Sequence, residues 1–247
     1  MNIQDGINEQ QEQIQSFLMI GQSNMAGRGE FGEVEPIRNR LCYMLRMGRW
    51  QRMQEPINVD RGIFEAAMHS GIGLGASFAD KVANTTQRKV GLIPCADGGT
   101  KLGQWMPGEV LYDHALLMTR LAIRSSVLTG ILWHQGESDC DSDTGVLSYK
   151  EKFMTMITSL RADLGAEDVP VIIGELSENL AERWQMGDRP ARLNRIFHEI
   201  AEELPLCAVV SAKELTLKSD GLHFDSVSQR EFGKRYSEAY IQLLQDK

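Results

Sequence analysis

Five short apolar segments recur along this chain of 247 residues, and each ends at a glycine or a polar turn. Their positions are apolar almost continuously rather than alternately, which is typical of strands buried on both faces. Such strands occur in parallel sheets that helices cover from both sides. The predicted strands are Gln15–Ile20, Lys89–Cys95, Val127–His134, Pro170–Leu176 and Leu206–Ser211.

The segments between these strands carry apolar residues at helical spacing. Because strands and helices alternate, we expect right-handed crossovers and a three-layer α/β/α arrangement around a mostly parallel, five-stranded sheet. The predicted helices are Gly73–Asn84, Leu111–Arg124, Ser148–Leu164, Ala191–Leu204 and Val227–Leu244.

The length of the chain fits one domain with one sizeable core. We therefore predict a single domain over residues 1–247, in which residues 1–14 form a flexible or peripheral segment. Residues 40–54 predict a hairpin that turns at Met47 and Gly48.

Composition excludes several classes of function. Lys and Arg total 26 and Asp and Glu total 34, which gives a net charge of −8 without any dense basic run, so we expect no nucleic-acid partner. The N-terminal residues lack the basic start and apolar core of a secretory signal, and no apolar run approaches the roughly 20 residues of a membrane helix. We expect a cytoplasmic protein that does not enter a membrane, with all four cysteines reduced.

Four polar segments follow or flank the apolar ones: GQSNMAG at 21–27, ADGGT at 96–100, HQGESD at 134–139 and DGLHFD at 220–225. The first three come directly after predicted strands, and the fourth precedes the last helix. Ligands of open α/β sheets bind beyond the carboxyl ends of the strands. The four segments therefore predict one site at one edge of the sheet.

Ser23, in the first segment, sits among small and polar residues on a predicted strand-to-helix turn. A serine there can expose its hydroxyl as a nucleophile while its backbone N–H faces a developing oxyanion. The same position also suits a serine that caps a helix, and the segment alone does not separate the two interpretations.

Asp220 and His223 stand three residues apart in a predicted loop. At that spacing the carboxylate can hold one ring nitrogen of the histidine and leave the other to face Ser23 as a general base. A lone histidine is more often structural, but the neighbouring acid and the loop position favour this function.

The segment 134–139 offers a side-chain amide and a carboxylate at one strand end. Gln135 can donate to an oxyanion, and Glu137 can orient His223 or bind backbone amides. The spacing does not match a known metal-ligand pattern, and we expect neither a metal nor a cofactor.

Gly98 and Gly99 permit a close approach to a ligand after the second predicted strand, without the pattern of a phosphate-binding loop. Trp105, shortly after, can form the wall of a sugar site or pack in the core. The candidate substrate-binding side chains are those of Gln22, Asn24, Trp105 and His134.

Taken in order, GQSNMAGRG, VGLIPCADGGTKLGQW, GILWHQGESD and DGLHFDSVSQREFG resemble the SGNH hydrolases. They are most similar to the sialate O-acetylesterase and acetylxylan esterase group, carbohydrate esterase family 6. The likeness extends from about Phe17 to Tyr240. It implies a flavodoxin-like fold and hydrolysis of acetyl esters on sugars, such as acetylated xylo-oligosaccharides or sialic acids.

The resemblance also implies roles for individual residues. Ser23 would be the nucleophile, His223 the base and Asp220 the acid that orients it, although some members of the group use the acid at the position of Glu137. The oxyanion donors would be the N–H of Ser23, the N–H of Gly98 or Gly99, and the amide of Gln135. The wider superfamily has asparagine where this chain has Gln135.

Two other functions remain open. A lipase-like or thioesterase-like hydrolase of the same superfamily would prefer longer acyl chains. A non-catalytic glycan-binding relative would keep the fold without needing a serine, a histidine and an acid together.

Overall fold

A seven-stranded sheet runs through the computed structural model, which describes residues 13–58, 70–180 and 184–245. Its order is β3-β2-β4-β1-β5-β6-β7. Every described neighbouring pair is parallel except β2 with β3, so the predicted mostly parallel sheet is confirmed. The strands are β1 Ile14–Gly21, β2 Cys42–Arg46, β3 Arg49–Arg52, β4 Val90–Pro94, β5 Ser126–His134, β6 Val171–Gly174 and β7 Cys207–Val210.

The predicted number of five strands is wrong, because the hairpin within residues 40–54 joins the sheet. Its turn lies at Met47 and Gly48, as predicted, and both residues have positive φ angles, 51° and 74°. β2 pairs with β4 through residues that include Cys42 and Met44, whose side chains are buried. Burial of this face of β2 draws the hairpin onto the edge of the sheet.

Helices cover both faces of the sheet, and the five predicted helices are confirmed to within two residues at each end. α2 and α7 pack together on one face, whereas α3, α5 and α6 cover the other. None of the helices in the described ranges is long and apolar enough to cross a membrane. The helices are α1 Ser23–Ala26, α2 Leu74–Thr86, α3 Val110–Ala122, α4 Asp143–Leu147, α5 Tyr149–Leu164, α6 Arg189–Glu203 and α7 Ser226–Gln245.

β1 lies in the middle of the sheet, and its side chains alternate between the two cores. Phe17 and Met19 belong to the core beneath α2 and α7, while Leu18 and Ile20 belong to the core beneath α3, α5 and α6. None of the four is more than 1% exposed. A strand packed on both faces gives the turn that follows it a rigid base.

The chain reverses its direction across the sheet at β1. It first builds β2, β3 and β4 on one side of β1, and then β5, β6 and β7 on the other. Such a reversal leaves a crevice at the carboxyl ends of the strands, where ligands of α/β proteins bind. The segments after β1, β4 and β5 all lie at this edge.

Two further expectations concern the N-terminal segment and the cysteines. Of the predicted segment 1–14, residues 1–12 lie outside the described residues, and Ile14 already belongs to β1. All four cysteines are free, as predicted, and Cys42, Cys95 and Cys140 are buried.

Candidate active site

A sharp turn follows β1, and it begins at Gly21 with a φ of 131°. A Cβ at this position would lie 2.1 Å from the backbone oxygen of His134, so only glycine fits. The N–H of Gln22 donates to the same oxygen at 2.8 Å. These contacts hold the ends of β1 and β5 together and place Ser23 at the first position of α1.

We expect Gly21→Ala to lower the free energy of unfolding by about 3 kcal/mol or more, because overpacking and backbone strain each cost roughly 1–3 kcal/mol. Gly108 is a matched control: its φ is also positive, 88°, but a Cβ there would meet no atom within 4 Å. Gly108→Ala should cost only about 1 kcal/mol. Urea unfolding measures both, and equal losses would contradict the argument from close approach.

Three polar side chains from two distant parts of the chain meet at this turn. The Oγ of Ser23 lies 3.0 Å from Nε2 of His223, which is 200 positions later in the sequence. The Nδ1 of His223 lies 2.9 Å from Oδ2 of Asp220. The structure thus brings together a serine, a histidine and an aspartate in the geometry that proton abstraction from the serine requires.

Asp220 is held as an anion by its own loop. Its Oδ1 accepts the backbone N–H groups of Leu222 at 2.8 Å and of His223 at 2.9 Å. Burial favours a higher pKa, but these hydrogen bonds and the nearby His223 ring outweigh it and lower the pKa of the Asp220 carboxyl below its ordinary value. A charged Asp220 can stabilise a positive imidazolium on His223.

Glu137, the other candidate acid, lies deeper in the protein and is 3% exposed. Its Oε1 accepts from Nδ2 of Asn24 at 2.7 Å and lies 3.2 Å from Nε2 of His134. Burial acts to raise the pKa of Glu137, but His134 and Asn24 outweigh it, so the pKa is lowered. Among the hydrogen bonds of the described residues, Asp220 and not Glu137 contacts His223.

The family model for carbohydrate esterases described as sialic acid-specific acetylesterases matches residues 13–242. This chain belongs to that family. A probable carbohydrate esterase of Arabidopsis thaliana is 30% identical to it, over 92% of this chain and 90% of the relative. Family and relative together make the chain a carbohydrate esterase with the SGNH hydrolase fold.

Solved structures agree with this assignment. The X-ray structure of the Arabidopsis thaliana protein matches the esterase with a TM-score of 0.83 and 29% identity, over 92% of this chain and 98% of the other. NanS matches with a TM-score of 0.77 over 96% and 99% of the two chains. NanS is only 16% identical, so that likeness supports the fold alone.

The oxyanion role of Gln135 stays a prediction, and in this structure the side chain has other partners. Its side-chain amide has two N–H groups, and these donate to the Thr100 backbone oxygen at 2.9 Å and to Oδ2 of Asp139 at 2.6 Å. Its oxygen accepts from the Tyr149 hydroxyl at 2.8 Å. Gln135 is fully buried, so it joins the loops behind the site instead of facing a substrate.

The four predicted substrate-binding side chains are also largely buried in this structure, and their contact with a substrate stays a prediction. Trp105 packs edge-on against Trp133 at 5.6 Å, so it belongs to the core. His134 packs against aromatic rings that include that of Phe232, and the centroids of these two rings are 5.4 Å apart. The exposed fractions are 2% for Gln22, 2% for Asn24, 1% for Trp105 and 0% for His134.

The turn that contains Gly98 and Gly99 lies beside the Ser23 turn of the esterase. The N–H of Asp97 donates to the Gly21 oxygen at 2.9 Å, which joins the end of β4 to the end of β1. Gly99 has a φ of 74° and is exposed. The first N–H groups of a helix lack partners within the helix, so Ser23 can present its N–H beside this turn.

Sequence reasoning missed the residues that support the site from behind. Asp139 was visible in the HQGESD segment, four positions after Gln135, but its contact with that amide was not predicted. Burial raises the pKa of Asp139 despite the hydrogen bonds from Gln135 and the Leu102 N–H. No group of three or more His, Cys, Asp or Glu side chains that could hold a metal occurs within residues 13–58, 70–180 and 184–245.

Proposed function

We propose that this carbohydrate esterase removes acetyl groups from sugars through an acetyl-serine intermediate. The observation that carries the proposal is the continuous contact from Asp220 through His223 to Ser23, at 2.9 Å and 3.0 Å. A glycan-binding protein needs no such alignment of acid, base and hydroxyl.

The reaction follows from these contacts. His223 accepts the Ser23 proton on Nε2 as Oγ attacks the acetyl carbonyl, and Asp220 stabilises the imidazolium. The tetrahedral intermediate collapses as His223 returns the proton to the departing sugar oxygen, which leaves an acetyl group on Ser23. A water molecule then attacks that ester with His223 as its base, and acetate and free Ser23 are released. These steps need neither a metal nor a cofactor.

The oxyanion donors that we propose are backbone N–H groups. The N–H of Ser23 and that of Gly98 or Gly99 belong to two turns joined by the Asp97–Gly21 hydrogen bond. Each donor should supply roughly 3 kcal/mol of transition-state stabilisation. We leave Gln135 out of this proposed oxyanion hole, because both of its side-chain N–H groups already donate to Thr100 and Asp139.

We expect acetyl esters to be hydrolysed far better than octanoyl esters. Ser23 is 2% exposed, and its neighbours along the chain, Gln22 and Asn24, are polar and buried, a setting that favours a short acyl group over a long apolar one. A series of p-nitrophenyl esters from acetate to octanoate measures the preference. Acetylated xylo-oligosaccharides and acetylated sialic acid then separate the two sugar classes. Equal kcat/KM for acetate and octanoate would favour a lipase-like hydrolase instead.

A fluorophosphonate probe tests the nucleophile directly. We expect the folded protein to gain one phosphonyl group on the peptide that contains Ser23, because only a serine activated by a base reacts readily with this electrophile. Mass spectrometry after digestion identifies the peptide, and heat-denatured protein is the control. An unlabelled native protein would favour the glycan-binding alternative.

A further inference from the structure

The side chain of Asn24 contacts the backbone on both sides of His223. Its Oδ1 accepts the N–H of Phe224 at 3.0 Å, and its Nδ2 donates to the carbonyl of Leu222 at 3.2 Å. His223 is the residue between these two. One buried amide therefore joins the residue after Ser23 to the two residues that flank the base.

Asn24 is itself held from two other directions. Its backbone oxygen accepts from Nε2 of Gln229 in α7 at 3.1 Å. Its Nδ2 also donates to the buried carboxylate of Glu137 at 2.7 Å. The amide therefore cannot rotate without losing a charge-assisted hydrogen bond, and this sets the positions of its oxygen and nitrogen.

The segment that carries His223 needs such a support. Residues 211–225 form no helix or strand, apart from an isolated bridge between Leu217 and Phe224. Several of its bonds are internal, such as that from the Lys218 N–H to the His223 oxygen at 2.7 Å. The Nζ of Lys218 adds a contact with the rest of the protein, to the Arg28 oxygen at 2.8 Å, from a position five residues before His223 in the sequence.

We propose that Asn24 is a positioning residue for the base of this esterase: it holds residues 222 and 224 so that Nε2 of His223 stays within hydrogen-bond distance of Ser23. The inference rests on the function proposed above. Asn24 acts through His223 and does not touch the substrate. Its loss should therefore leave substrate binding intact and slow the chemical steps.

The test compares Asn24→Ala with Asn194→Ala. Asn194 is a matched control, because its amide also bridges backbone atoms, accepting from the Leu176 N–H at 2.8 Å and donating to the Leu176 oxygen at 3.0 Å. We expect Asn24→Ala to lower kcat on an acetyl ester about 100-fold, as a small misplacement of a reacting group does, with KM within about twofold. Asn194→Ala should keep kcat near the wild-type value even if its Tm falls as far as that of Asn24→Ala. Equal losses of kcat in the two variants would overturn the proposal.

A second pair of variants tests the anchor and does not depend on Asn24→Ala folding. Asn24→Asp places two carboxylates together at the 2.7 Å contact with Glu137 and should be more damaging than Asn24→Ala. Adding Glu137→Gln restores a donor to that contact with little change in size. We expect the double variant to exceed Asn24→Asp in kcat by about tenfold, since contacting residues couple. A double variant no better than Asn24→Asp would show that Glu137 does not anchor the amide.

Fluorophosphonate labelling separates failure of this inference from failure of the proposed function. Wild-type protein that resists labelling at Ser23 would contradict the serine mechanism itself. Wild-type protein that is labelled, with Asn24→Ala labelled equally fast, would leave the mechanism standing and remove the role of Asn24. We expect rapid labelling of the wild type and of Asn194→Ala, and labelling slowed about 100-fold in Asn24→Ala.

Discussion

Replacing Ser23 with alanine is expected to lower kcat on an acetyl ester by about 10⁶-fold, as removal of the nucleophile does in serine proteases. The substitution deletes the Oγ that lies 3.0 Å from His223, so no acetyl-enzyme can form. Residual turnover would come from the oxyanion donors and from binding alone. Stopped-flow or fixed-time release of p-nitrophenol measures the loss.

Ser237→Ala is the matched control for this substitution. Ser237 is also buried, and its hydroxyl donates to the Lys234 oxygen at 2.6 Å within α7, in the helix that follows the His223 loop. We expect that variant to keep wild-type turnover. A folded Ser23→Ala protein, verified by circular dichroism, that retained near wild-type kcat would contradict the assignment of the nucleophile.

Replacing Asp220 with asparagine is expected to lower turnover by about 10⁴-fold, by analogy with the same change in serine proteases. An asparagine oxygen can still accept the N–H groups of Leu222 and His223, so the loop keeps its shape. Its amide nitrogen would then face Nδ1 of His223, at the present 2.9 Å contact. Because the asparagine NH₂ group is a donor, Nδ1 of His223 must act as the acceptor and the ring proton moves to Nε2. The ring can then no longer take the proton of Ser23.

Glu137→Gln is the comparison that separates the two candidate acids. A glutamine keeps an oxygen to accept from Asn24. The connection from Glu137 to His223 is indirect, because it runs through Asn24, which donates to the carbonyl of Leu222 next to His223. We expect a loss of about 10–100-fold, by analogy with residues that hydrogen-bond to the ligands of metal sites. If Glu137→Gln proved more damaging than Asp220→Asn by tenfold or more, Glu137 would be the acid that serves His223.

The fold was largely predictable because its strands are buried on both faces. Continuous apolar runs at β1, β4, β5, β6 and β7 distinguish these strands from the amphipathic helices between them, and the structure confirms all five. The hairpin of β2 and β3 was predicted as a hairpin, but its place in the sheet was not. That placement depends on pairing between Cys42–Met44 and β4, which is a contact between distant residues and leaves no local pattern.

The site was predictable in its location and less so in the direction of its side chains. Ser23, Asp220 and His223 come together because the loop after β1 and the loop after β7 meet at one edge of one sheet. Gln135 and Trp105 lie on the expected segments, but both turn inward, toward Asp139 and Trp133. Whether a polar side chain after a strand faces the crevice or the interior depends on which donors and acceptors lie behind it, and those come from other parts of the chain.

The distance in sequence between Ser23 and His223 has a consequence for how the protein matures. The serine follows the first strand, whereas the histidine precedes the last helix, 200 residues later. Contacts between such distant residues tend to form late, because the entropy cost of closing a long loop comes before the contacts can stabilise the fold. A chain that has assembled its sheet but not yet docked α7 against α2 would therefore carry the proposed nucleophile without its proposed base. We therefore expect esterase activity to return late in refolding, together with the docking of α7, and a time course of regained activity measures this.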